Sequence, residues 1–168
     1  MIVDGARVAA GVRPRYLLSD FLRDTAGVGG VHVACGHGVC GACTVAVEGI
    51  ATRACLMLAV QADGATVQSV ASLPALEGCT AATPADATAT ATAAAGTSRD
   101  LTPLQRAFRE HHALQCGYCT PGLLVSTALF LAHNKKPARD DILDHLNGHI
   151  CRCTGYANII AAIESVSR

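Results

Sequence analysis

The stretch that decides the fold is Cys35-Gly36-His37-Gly38-Val39-Cys40-Gly41-Ala42-Cys43, joined further along by Cys55. Its spacing is C-x4-C-x2-C-x11-C, three thiols crowded together and a fourth delivered from a distance. Four thiolates at this plant-type spacing hold a [2Fe–2S] cluster. The backbone must curl so that its sulfurs face inward. Gly36, Gly38 and Gly41 let it do so, because glycine reaches positive φ and brings no Cβ to crowd the centre. Their N–H groups can point at sulfur and stabilise the reduced, more negative state. Zinc motifs usually come as two close pairs, so three ligands plus one suits iron–sulfur better.

Working outward, the segment up to residue 78 reads as short strands around one helix. Ile2-Val3, a turn at Asp4-Gly5, and Val8 to Val12 predict a hairpin. Leu17, Leu18, Phe21 and Leu22 fall at helical spacing, so a helix is expected over Leu17 to Asp24, stopping before Gly27. Thr44 to Val47 and Ile50 to Ala54 read as strands on either side of Glu48-Gly49, and Thr66 to Val70 as one more. A small mixed sheet with one helix and a long cysteine loop is a β-grasp arrangement. Beyond it, fourteen of the seventeen residues from Thr80 to Gly96 are Ala or Thr. No apolar stripe runs through them, so residues 79–100 are expected to be an exposed linker, with a frayed helical turn as the alternative.

Residues 101–168 read as helical. Thr102-Pro103-Leu104-Gln105 is a capping box with Pro at the first helical position, and Leu104, Ala107 and Phe108 give that helix a buried face. Thr120-Pro121 repeats the cap signal ahead of Leu123, Leu124, Ala128 and Leu131. Pro137 precedes a helix with Ile142, Leu143 and Leu146 inward, ended by Asn147-Gly148. Ile159, Ile160, Ile163 and Val166 mark a fourth. Both remaining cysteine pairs fall in the connections of this expected four-helix bundle. Cys116, Cys119, Cys151 and Cys153 form C-x2-C-x31-C-x-C, a second complete set of soft ligands. On spacing alone, zinc and iron–sulfur suit it comparably. Cys119 lies beside a helix N-terminus, whose dipole favours a thiolate. The first array tips the reading toward a second cluster, because two centres in series make a wire.

The whole chain therefore reads as an α+β protein, a β-grasp unit over 1–78, the linker over 79–100, and a four-helix unit over 101–168. Lys+Arg and Asp+Glu are both 13, and a net charge of zero argues against a nucleic-acid or anionic-membrane partner. No stretch is long and apolar enough to span a bilayer, and no basic-then-apolar leader opens the sequence. The expected compartment is the reducing cytoplasm, where clustered cysteines bind metal rather than pair. Nine cysteines also suit a disulfide framework poorly. Cys79 is left over as a bystander thiol. His37 lacks the second histidine of a Rieske centre and is expected in an exposed or supporting role. His111, His112, His133, His145 and His149 share no ligand spacing and are expected at the surface or at helix caps. For Arg152, balancing cluster charge and facing solvent are equally open.

Three motifs together carry a family resemblance: Cys35 through Val45, Leu114-Gln115-Cys116-Gly117-Tyr118-Cys119-Thr120-Pro121-Gly122, and Gly148-His149-Ile150-Cys151-Arg152-Cys153-Thr154-Gly155-Tyr156. They resemble the iron–sulfur small subunits of the molybdenum hydroxylases, the xanthine oxidase and aerobic carbon monoxide dehydrogenase family. The resemblance implies two [2Fe–2S] clusters, at Cys35/Cys40/Cys43/Cys55 and at Cys116/Cys119/Cys151/Cys153. It implies a large subunit carrying molybdopterin in its cytosine dinucleotide form and a medium subunit carrying FAD, assembled as a dimer of heterotrimers. Electrons from oxidative hydroxylation would pass from molybdenum to the second cluster, then to the first, then to FAD. Gln115 and Cys153 are implied to approach the pterin. The chain departs from the family pattern at Ala34, where glycine is common, in a short first strand, and in the length of its Ala/Thr segment. Two other classes compete: a zinc-stabilised interaction module and a free-standing two-cluster ferredoxin.

Overall fold

The computed structural model describes residues 1–78 and 101–167. The expected linker over 79–100, Cys79 included, lies outside the described residues, as does Arg168. Strand β1 (Ile2–Val3) turns back into β2 (Ala6–Arg7) through Asp4-Gly5, whose φ values of +48° and +84° make the tight turn that matches strand twist. The register pairs Ile2 with Arg7 and Val3 with Ala6. The expected second strand, Val8 to Val12, is thereby corrected: a two-residue turn brings the chain straight back, the strand is Ala6–Arg7, and the pairing runs out where Val8 meets Met1 at the first residue. Helix α1 (Leu18–Asp20) runs into a wider π turn, Phe21–Thr25, and together they bury Leu18, Phe21 and Leu22.

Strands β3 (Thr44–Val47) and β4 (Ile50–Arg53) flank Glu48-Gly49 as expected. Strand β5 (Thr66–Gln68) stops short of Val70 because the Ser69 hydroxyl accepts from the Ala71 N–H at 3.2 Å. That bond caps a 3-10 turn, Val70–Ser72, which leads into α2 (Leu73–Leu76). The five strands lie in the order β2-β1-β5-β3-β4, with β1 and β5 parallel and the other pairs antiparallel. Four longer helices follow: α3 (Pro103–Glu110), α4 (Thr120–His133), α5 (Arg139–Leu146) and α6 (Ala157–Val166). The capping box of α3 forms, with Thr102 Oγ1 accepting from the Gln105 N–H at 3.2 Å and Gln105 Oε1 from the Thr102 N–H at 3.0 Å. The fold is thus mixed, one five-stranded sheet with six helices among the described residues.

The cap expected at Thr120 is corrected. Cys119 takes the cap position, Thr120 is the first helical residue, and its hydroxyl is buried without a partner among the described residues. The Thr120 N–H bonds to Gly117 O at 3.2 Å, so the C-x2-C turn itself opens the helix. Leu143, expected inward, is 40% exposed, while Ile142 and Leu146 are buried. Helix α4 carries apolar residues all round rather than one stripe, and Gly122 through Leu129 are all buried. One side joins Leu104, Phe108, Ile142, Ile159 and Ile163 in the helical core. Val125 and Leu129 pack instead on Ala46 of β3. Strand β3 is buried on both faces for that reason, with Val45 and Val47 in the core that holds Leu18, Phe21 and Leu22. No helix among the described residues is long and apolar enough to cross a membrane.

Candidate metal centres

The first loop is shaped by its glycines: Gly36, Gly38 and Gly41 have φ of +69°, +83° and +77°. Ala34, where a glycine was the common residue, sits at negative φ and needs none. With these turns made, the N–H groups of Cys40, His37 and Val39 point at Cys35 Sγ, and that of Gly38 at Cys55 Sγ. The Cys35 thiol is lowered to about 6 by the Cys40 and His37 N–H groups. Cys55 is pushed up to about 11, by burial and then by Cys43 beside it. Cys43 and Cys55 are buried, Cys35 and Cys40 half-buried. His37 is exposed, and its Nδ1–H donates to Cys35 O at 2.7 Å, the supporting role expected of it.

The second set gathers from the α3–α4 and α5–α6 connections. Cys116 and Cys153 bring their sulfurs within 3.5 Å, and Cys119 lies within hydrogen-bonding reach of Cys151. Cys151 is buried and Cys119 half-buried, whereas Cys116, Cys153 and the neighbouring Gln115 are exposed. Thr154 Oγ1 donates to Cys151 Sγ at 3.2 Å, and such bonds outweigh burial to lower that thiol. The helix dipole expected to ionise Cys119 loses to desolvation, which with Cys151 nearby pushes the thiol up to about 12. Binding a metal would drive off that proton. Arg152 faces solvent.

The pairing of thiols tests what these donors fit. No three His, Cys, Asp or Glu side chains among the described residues converge on one ion position. A tetrahedral zinc site needs all four sulfurs round one ion. The thiols within hydrogen-bonding reach of each other are Cys35 with Cys40, Cys43 with Cys55, Cys116 with Cys153 and Cys119 with Cys151, with weaker charge effects linking the pairs of each set. Two irons, each holding two thiolates, ask for that arrangement. In each set one pair is the more buried and the other faces outward.

Sequence reasoning missed what joins the two sets. The Ile150 N–H donates to Cys40 O at 2.9 Å, tying one thiol loop to the other. Tyr118 stacks on His32 with ring centroids 4.6 Å apart and donates its hydroxyl to Val33 O at 2.8 Å. His149, expected at the surface, is 4% exposed and packs against Gly41. His145 is also largely enclosed, stacked on Phe130 at 4.5 Å with the Ser126 and Thr127 hydroxyls at 3.3 and 3.4 Å from Nε2. Both histidines are corrected for one reason: the end of α5 and the turn after it are enclosed by α4 and the first thiol loop, close to Arg53. A lone His or Arg in sequence carries no signal of such burial.

Burial, and then the Arg53 charge, holds His145 down at about 4 and His149 at about 3. Above the ordinary value of 6.5 both are neutral folded or unfolded and add no pH dependence. As pH falls below it, the unfolded chain takes up protons that the folded chain refuses, so stability drops through about 4. His145→Phe, which keeps the stack on Phe130, is expected to move the acid unfolding midpoint downward with little change at pH 7. With partial solvent access allowed for, the stability regained near pH 4 is on the order of 2 kcal/mol. Helix circular dichroism followed against pH checks this; an unmoved midpoint would count against burial of His145.

Comparison with known proteins agrees with the donor chemistry. Residues 1–69 match the 2Fe-2S iron-sulfur cluster binding domain family, and residues 90–164 the [2Fe-2S] binding domain family. The chain is 44% identical to caffeine dehydrogenase subunit gamma of Pseudomonas sp. (strain CBB1), over 99% of this chain and 89% of that one. It is 38% identical to the nicotine 6-hydroxylase small subunit of Paenarthrobacter nicotinovorans, over 96% and 84%. The crystal structure of quinoline 2-oxidoreductase from Pseudomonas putida 86 superimposes with a TM-score of 0.81 at 38% identity, covering 98% of this chain and 88% of that one. Two [2Fe–2S]-binding segments and near full-length likeness to such subunits lead to one assignment: the chain belongs to the iron–sulfur small subunits of the molybdenum hydroxylases, which transfer electrons within those enzymes.

Proposed function

We propose that Cys35, Cys40, Cys43 and Cys55 hold one [2Fe–2S] cluster and Cys116, Cys119, Cys151 and Cys153 the other, in a β-grasp unit over 1–78 and a four-helix unit over 101–168. The observation that carries this is the closure of the eight thiols in four pairs. Each cluster is a one-electron carrier, and the residues around it decide where electrons enter and leave. The exposed edge of Cys116 and Cys153, with Gln115 beside it, faces the molybdopterin cytosine dinucleotide of a large subunit. The Cys35 and Cys40 edge faces the FAD of a medium subunit, within a dimer of heterotrimers in the cytoplasm. The names of the relatives above support an N-heteroaromatic ring as the substrate class, bound in the large subunit and not by this chain.

The purified chain is expected to contain iron and acid-labile sulfide at two of each per centre, and to give two distinct signals in electron paramagnetic resonance (EPR) when reduced. Colourless protein holding zinc would overturn the reading in favour of an interaction module. Purification without a large and a medium subunit would favour a free-standing ferredoxin.

A further inference from the structure

We infer that Arg53 is a positioning residue whose forked guanidinium holds the two thiol loops in register, so that the Cys40 O to Ile150 N–H hydrogen bond persists between the two centres. The inference rests on the two-cluster reading above and adds to it a determinant of how the centres face one another. Arg53 ends β4, two positions before Cys55. Its Nη1 donates to Thr44 Oγ1 and its Nη2 to Gly148 O. Thr44 follows Cys43 directly, and its own hydroxyl donates to Gly41 O at 2.6 Å. Gly148 lies three positions before Cys151, next to His149, whose ring packs against Gly41. One side chain thereby touches the segments that deliver Cys43, Cys55 and Cys151.

The 2.9 Å bond between Ile150 and Cys40 is the backbone crossing that this fork frames. Gly148 hangs from Arg53 on one side, and Ile150 from Cys40 on the other. Arg53 has no carboxylate partner among the described residues, where the single ion pair joins Arg139 to Glu164. Its partners are a hydroxyl and a carbonyl, which reward direction more than charge. A planar guanidinium presents parallel donors to two acceptors at once; a lysine ammonium keeps the charge but not that fork.

The test uses the full chain with its clusters, comparing the wild type with Arg53→Lys and Arg53→Met. In fully reduced wild type at low temperature, the two EPR signals are expected to split or broaden each other through their spin–spin interaction. Arg53→Lys is expected to keep both signals, their g-values and full iron content, yet to show that mutual splitting altered. Hydrogen exchange of the peptide carrying Ile150 is expected to run about tenfold faster, as for loss of a charged hydrogen bond. Should Arg53→Met lose iron, Arg53→Lys decides alone. Wild-type splitting and exchange retained in Arg53→Lys would overturn the inference, as would two wild-type signals that never interact. Absence of two [2Fe–2S] signals in the wild type would instead remove the reading on which it rests.

Discussion

Substituting Gly122 with alanine is expected to lower the thermal midpoint by several degrees and to weaken both thiol sites at once. Gly122 is the third residue of α4, three positions beyond Cys119. A Cβ there would stand 2.3 Å from Gly41 O and 2.9 Å from Ala42 O. Those atoms are backbone, in the loop between Cys40 and Cys43, and have no rotamer into which to retreat. Either the helix withdraws, separating Val125 and Leu129 from Ala46, or the loop shifts and carries Cys43 with it. Overpacking of this kind costs about 1–3 kcal/mol. Each kcal/mol lowers the midpoint by roughly 2–4 °C at this chain length. Gly29→Ala is the control, since nothing lies within 4 Å of its Cβ position and its φ is not positive. Thermal melts with iron content alongside check the pair; equal midpoints would mean that α4 does not seat against the first loop.

That contact was only half legible in the sequence. The eight ligand candidates, the Asp4-Gly5 and Glu48-Gly49 turns and the Thr102 capping box follow from local rules, because each needs only neighbours along the chain. Leu104, Phe108, Ile142, Ile159 and Ile163 are buried as their helical spacing predicts. What failed depended on partners distant in sequence. Leu143 was placed inward by hydrophobicity, yet only so much of a short helix can face one core. Residues Thr44-Val45-Ala46-Val47 lack the alternation of a half-exposed strand, and that was a usable sign of cover on both faces. Leu123, Leu124, Ala128 and Leu131 mark only part of what α4 buries; the breadth of its apolar run is the sign of burial all round. Arg53, His145 and His149 offered no comparable sign, since a strand arginine or a helix histidine is usually solvated. Their enclosure follows from α4 packing over β3 and β4 and from the turn after α5 meeting Arg53 and the first thiol loop, which no local pattern encodes.

The packing also explains why the two thiol sets belong to one device. Joined by chain connectivity alone, two small metal units would wander relative to each other, and transfer between them would depend on chance approach. Instead α4 serves both halves, with its N-terminus at Cys119 and its flank on β3. The Tyr118 stack on His32, the Gly122 contact with Gly41 and the Ile150 bond to Cys40 all cross between the two loops. Each is short and local, and each lies within three residues of a cysteine of either set.

Cys151→Ser is expected to remove half the iron and one of two EPR signals, and to destabilise the helical half beyond the loss of metal. Cys151 is 7% exposed and belongs to the core that holds Phe108, Leu123 and Ile160. With the proposed ligand set, losing one thiolate of four is expected to abolish the second centre, and because metal binding is linked to folding, its stabilisation goes as well. Serine then leaves a smaller, more polar atom in an apolar setting, a further cost of about 1–3 kcal/mol that the Thr154 hydroxyl offsets only in part. Cys153→Ser separates the two contributions. It removes the same metal from an exposed position, so its melting curve should reflect loss of the centre alone. Cys79→Ser should keep all the iron, because that thiol completes neither set of four. Iron analysis, EPR and thermal melts on the three variants read each contribution independently. Two intact EPR signals in Cys151→Ser would remove Cys151 from the ligand set, and equal melts for Cys151→Ser and Cys153→Ser would remove the packing share.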